Sequence, residues 1–208
     1  MEITRIRMLR GPNLWSRHTA LEAIVSCDEL ERAIDSIPPF ETKIRERFPQ
    51  LGSMRRSGLT EPLSLAHALE HAALGLQAQA GCPVTFSRTA QTVEQGVYQV
   101  VVEYIEEVVG RMSFDFGFAL IQSTLNDAPF DLAAALSELE ALYEDVRLGP
   151  STGSIVDAAV QRNIPYRRMT EGSMVQFGWG SKQKRIQAAE TSDTSAIAEA
   201  IAQDKELT

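Results

Sequence analysis

Residues 63–80 read LSLAHALEHAALGLQAQA, a run dominated by Ala and Leu and bounded by Pro62 on one side and by Gly81 and Pro83 on the other. Alanine and leucine are the strongest helix formers, Pro is tolerated in a first helical turn, and a following Gly and Pro stop a helix. Thr60 stands where an N-cap is expected. Such a helix is apolar on most sides, so it has to be enclosed by other elements rather than lie on a surface. That requirement fixes a packed, layered fold.

The remaining segments supply the layers. Residues 3–9 alternate apolar side chains with Arg5 and Arg7 and end at Gly11-Pro12-Asn13, which predicts a half-buried strand. A second strand is expected at 21–27. The acidic run 28–37 reads as a short helix or a loop ended by Pro38-Pro39, and 40–48 as a helix closed by Pro49. The stretches 84–88 and 97–104 are rich in β-branched and aromatic residues and predict a strand pair. Residues 105–125 carry Val108, Met112, Phe116, Leu120 and Thr124 at helical spacing and end at Asn126-Asp127, and a further helix is expected over 132–143.

At 147–153 the sequence RLGPSTG interrupts the pattern, and the composition changes beyond it. The reading is an α+β domain over 1–147, a small mixed sheet with packed helices, followed by a second region over 148–208. That region is expected to hold a helix at 154–161, a short strand at 164–166, a basic turn with Lys182, Lys184 and Arg185, and a helical tail over 194–205.

Charge narrows the function. The 208 residues carry 20 Lys and Arg against 28 Asp and Glu, a net charge of −8. A nonspecific nucleic-acid binder needs clustered cations to neutralise phosphates, so that class is excluded. The N-terminus breaks its apolar residues with arginines, and no stretch approaches the roughly eighteen apolar residues of a membrane span, which predicts a cytoplasmic protein without a membrane partner. Cys27 and Cys82 show no spacing of a disulfide framework or thiolate metal site and read as reduced core thiols.

One motif could carry chemistry. His67, Glu70 and His71 form H-x-x-E-H on the Ala/Leu helix. Residues four apart share a helical face, so both imidazoles can address one Zn²⁺, and Glu70 is then placed as general base for a metal-bound water. A catalytic zinc wants a third protein ligand. His18 is the one remaining histidine, and Glu103 or Glu107, four apart at the strand-to-helix junction, are the better candidates. The plainer alternative is a helix that uses its histidines for structure, since buried imidazoles need partners. Ser151 and Thr152, ahead of the 154–161 helix, read as caps whose helix end could accept a carboxylate or phosphate.

The segments RIRMLRGPNLWS, AHALEH, GVYQVVVEYIEE, LGPSTGSIVDAA and the closing VQFGWGSKQKRIQAAETSDTSAIAEAIAQDKELT together resemble the cyanophycin synthetase family. The resemblance covers essentially the whole chain. It implies the N-terminal domain of an ATP-dependent amide ligase followed by an incomplete α/β segment, the first stretch of its ATP-grasp domain. The complete parent makes a polymer of aspartate backbone bearing arginines, using ATP and Mg²⁺, and combines ATP-grasp and Mur-ligase-like domains in a homo-oligomer. For this chain the resemblance implies a polymer-binding module with cyanophycin as partner. It also implies a zinc peptidase-like, primer-generating site at His67, Glu70 and His71, and a contact from Ser151 to the polymer's terminal carboxylate. The alternative is a noncatalytic domain that positions the ligase domains.

Overall fold

The computed structural model describes residues 1–51, 54, 62–187 and 190–195. The chain forms two compact units, the first over 1–145 and the second beginning at Val146.

The first unit is built on a four-stranded sheet of β1 (Glu2–Leu9), β2 (Ala20–Ser26), β3 (Ser87–Gln91) and β4 (Val97–Glu103), ordered β1-β2-β4-β3. Its helices are α1 (Phe40–Arg47), α2 (Leu65–Gln79), α3 (Glu107–Leu125) and α4 (Leu132–Val146). The α+β class holds, with one correction: the sheet is antiparallel throughout rather than mixed. The physical reason is the insertion of β4 between β2 and β3. Those two strands run in the same direction, and the returning hairpin strand separates them.

The register assigns the two faces. Leu21, Ala23 and Val25 of β2 stand opposite Val102, Val100 and Tyr98 of β4, and all six are buried. Helix α2 packs on this face through β3 and β4, and α3 packs against α2. Enclosure on both sides explains why α2 is apolar nearly all round: Leu65, Leu69 and Leu76 are fully buried, each stabilising by about 2 kcal/mol. Small side chains let α3 approach both α2 and the connection that precedes it. A Cβ on Gly117 would lie 3.1 Å from the Ala73 amide nitrogen, and one on Gly110 would lie 2.5 Å from Tyr104 Cβ. The buried side of α3 is therefore Val109, Gly110, Ser113, Phe114, Gly117, Leu120, Ile121, Ser123 and Thr124. Val108, Met112 and Phe116, expected in that stripe, lie beside it and are exposed or half-buried.

Other boundaries move for local reasons. Helix α2 starts after Ser64, its N-cap, while Thr60 lies outside the described residues. Strand β3 starts at Ser87 instead of Val84, because the amides of Thr85 and Phe86 bond to the Glu103 carboxylate instead of a strand. The 28–37 run becomes turns and a short 3-10 turn at Ile34–Ser36. Cys27 and Cys82 are free and buried, as expected.

The second unit contains α5 (Pro150–Gln161) and four short strands, β5 (Tyr166–Arg168), β6 (Met174–Phe177), β7 (Lys184–Gln187) and β8 (Glu190–Thr191), in sequential antiparallel order. Among the described residues this is an antiparallel meander with one helix, whose short connections allow hairpins but no parallel crossover. Val156, Val175 and Ile186 form its core, flanked by Leu148, Tyr166 and Phe177. The residues of the expected tail helix beyond 195 lie outside the described residues.

Candidate functional site

Helix α2 carries the H-x-x-E-H motif on its first two turns. His67 is the third helical residue, and it completes a reciprocal cap with Ser64. The Ser64 amide donates to His67 Nδ1 at 3.2 Å, and the Ser64 hydroxyl lies 2.9 Å from the same nitrogen. Glutamate or glutamine usually fills this position of a capping box, and here an imidazole does so. The ring then meets Tyr98 of β4 edge-on, with centroids 5.8 Å apart at 70°. His67 is thus directed into the joint between helix and sheet, where it is 8% exposed. Glu70 is also buried, and His71 is half-buried.

Neither expected third ligand is directed at this pair. Glu103 ends β4 and is 3% exposed. Its Oε2 accepts the amides of Thr85 at 2.8 Å and Phe86 at 2.7 Å, and its Oε1 lies 3.0 Å from His18 Nδ1. The carboxylate therefore fixes the strand's entrance and the 10–19 loop together. Its backbone carbonyl accepts from Gln77 Nε2 at 2.9 Å, which ties α2 to the same strand end. Glu107 opens α3 and is gripped by Arg10 through two parallel bonds of 2.7 and 2.9 Å. The hydrogen bonds and charge of Arg10 hold the Glu107 carboxyl below its ordinary value.

Among the described residues, no three His, Cys, Asp or Glu side chains are grouped so as to hold a metal ion. With both candidate glutamates bound elsewhere, the donors among the described residues do not assemble a three-ligand zinc centre. The sequence could not reveal this, since spacing reports which residues share a helix face and not what their ring nitrogens already hold.

Ser151 and Thr152 are likewise placed differently from their expected role. Helix α5 begins at Pro150, its N-cap is Gly149, and no side chain caps it. Both residues are inside the first turn, Ser151 exposed and Thr152 3% exposed. In the basic turn of the same unit, Lys184 pairs with Asp193 at 2.6 Å, and Arg185 lies against Gln176.

The sheet face turned away from α2 was not anticipated. Arg7 stands directly opposite Glu22 in the β1–β2 register, and Arg88 of β3 continues that row across Val101. Arg5 lies in the adjacent row. All three arginines are exposed, while Glu22 is 3% exposed. Glu22 accepts from Arg7, from Gln99 and from Trp15 Nε1, the last at 3.4 Å. Burial pushes its carboxyl up, but these hydrogen bonds and the Arg7 charge outweigh burial and leave it below the ordinary value. Arg88 lies 5.7 Å over the Trp15 ring. A charged residue amid the apolar strand ALEAIVS was the one sequence signal for this arrangement.

No helix among the described residues is long and apolar enough to cross a membrane. The sequence profile of the cyanophycin synthase-like N-terminal domain matches residues 23–126, half of the chain. Cyanophycin synthetase of Trichormus variabilis is 35% identical over 225 aligned residues, covering 100% of this chain and 25% of that protein. The cyanophycin synthetases of Synechocystis sp. and Geminocystis herdmanii are 35% and 34% identical, each with the whole chain and 26% of the relative covered. The chain spans about a quarter of the length of these relatives. The match takes in the second half of β2, the whole α2 motif, the β3–β4 hairpin and α3, and the chain belongs to the cyanophycin synthase-like N-terminal domain family.

Proposed function

We propose that this chain is the polymer-holding N-terminal region of a cyanophycin synthetase, which retains cyanophycin close to ligase sites on further domains of an ATP- and Mg²⁺-dependent enzyme. The observation that carries this reading is the set of arginines on the sheet's two edge strands, where Arg5, Arg7 and Arg88 stand exposed on β1 and β3 around the buried Glu22. Guanidinium groups spread over a rigid sheet suit a flexible chain bearing carboxylates at regular intervals, because each contact is weak alone and adds along the chain. Arg88 is further positioned by the Trp15 ring.

The test is co-sedimentation of the purified 208-residue chain with insoluble cyanophycin. Retention that falls with added salt and drops about tenfold in an Arg5→Ala, Arg7→Ala, Arg88→Ala variant supports polymer holding. A chain that stays in solution with the polymer at low salt would leave the positioning of ligase domains as its role. A hydrolytic role would require a third metal ligand that the described residues do not supply.

A further inference from the structure

Val108, Met112 and Phe116 recur at every fourth position of α3 and, with Met8 of β1, line an open groove of about 460 Å³. Val108 is 51% exposed. An apolar row of this kind normally lies against a core. Here the core side of α3 is one step further round, where Gly110 and Gly117 allow close contact, so the row is left on the surface.

The rim of the groove is acidic. Asp115 of α3 and Glu138 of α4 are both exposed. Glu107 completes the rim but is held by Arg10. Arg111 is the groove's own cation, and it reaches Asp115 at 3.4 Å across one helical turn. An exposed pair of that kind contributes well under about 1 kcal/mol, so an incoming cation displaces it at little cost.

An apolar, partly aromatic floor under two carboxylates discriminates among ligands. Anions are repelled. An ammonium would lose hydration over the apolar floor with no plane to stack. A guanidinium is planar and weakly hydrated, stacks on an aromatic face, and presents forked donors to carboxylates at its edge. We infer that this groove is a subsite for arginine side chains displayed on a polymer, with Phe116 and Met112 beneath the guanidinium plane and Asp115 and Glu138 accepting its hydrogen bonds. The inference rests on the polymer-holding reading and names where the polymer's cationic groups are taken, on the side of β1 opposite the arginine-bearing face.

The experiment follows the methionine methyl resonances of the 208-residue chain during titration with triarginine, trilysine and a soluble cyanophycin fraction. Triarginine is expected to shift the Met8 and Met112 methyls, with trilysine at least about fivefold weaker. The Asp115→Asn, Glu138→Gln double variant is expected to weaken triarginine about tenfold. Both carboxylates are exposed, so these changes leave the fold intact, which unchanged thermal unfolding verifies. Equal response to lysine and arginine, silent Met8 and Met112 methyls, or a double variant that binds as the parent does would each overturn the subsite. Polymer binding that survives the double variant unchanged removes the groove and leaves the polymer-holding reading standing. Triarginine binding at the groove without any polymer binding removes that reading and keeps the groove as a guanidinium site.

Discussion

His18 Nδ1 lies 3.0 Å from Glu103 Oε1, joining a half-exposed loop histidine to a carboxylate that is 3% exposed. The same carboxylate receives the amides of Thr85 and Phe86. Glu103 thereby sets where β3 begins and where the 10–19 loop rests on the sheet end. Its structural work follows from having more donors around it than a surface glutamate ever collects.

Replacing Glu103 by Gln is expected to lower stability by about 1–3 kcal/mol, because the Thr85 and Phe86 amides then bond to a neutral carbonyl instead of a charged carboxylate. Denaturant unfolding measures it. In a double-mutant cycle with His18→Ala the coupling should stay below about 1 kcal/mol, since the imidazole is partly in water. A coupling well above that would show the histidine, not the two amides, to be the main partner.

Gly110→Ala separates packing from helix propensity. Propensity alone predicts a gain of about 1 kcal/mol for alanine inside α3. The Tyr104 Cβ 2.5 Å away instead predicts a loss of roughly 1–3 kcal/mol. A stabilised variant in thermal unfolding would mean that the α3 entrance is looser than described.

Glu22 gives the fold an acid-side dependence. Its carboxyl is held below the ordinary value of 4.5, so the ionised form is favoured in the folded state. Its contribution is complete above pH 4.5 and is lost as pH falls through the lower folded-state value. Glu22→Gln should therefore flatten the stability profile below that pH and reduce the difference measured at pH 7. An unchanged acid limb would assign the dependence to other carboxylates.

Both thiols should be silent in the folded protein. Burial pushes Cys27 up to about 11 and Cys82 up to about 12, leaving almost no thiolate at pH 8. A thiol-specific chromogenic reagent is expected to titrate neither cysteine in the native chain and both after denaturation. Fast labelling of one of them before unfolding would expose a local opening at β2 or at the end of α2.

Much of this protein was legible before any coordinates. The Ala/Leu run dictated a buried helix, because those residues favour helix locally and its lack of a polar face demands enclosure on both sides. The alternation in β1, the β3–β4 pair and the stop at Asn126-Asp127 followed from equally local rules, and together with the family resemblance they place the chain. Local rules could not say what His67, Glu103 and Glu107 do. A side chain's chemistry depends on which distant groups reach it first, and here the Ser64 cap, the Thr85 and Phe86 amides and Arg10 do so. The same holds for Val108, Met112 and Phe116. Their spacing marks an apolar row, and only the close approach permitted by Gly110 and Gly117 decided that a different side of α3 faces the core, leaving that row open to a ligand.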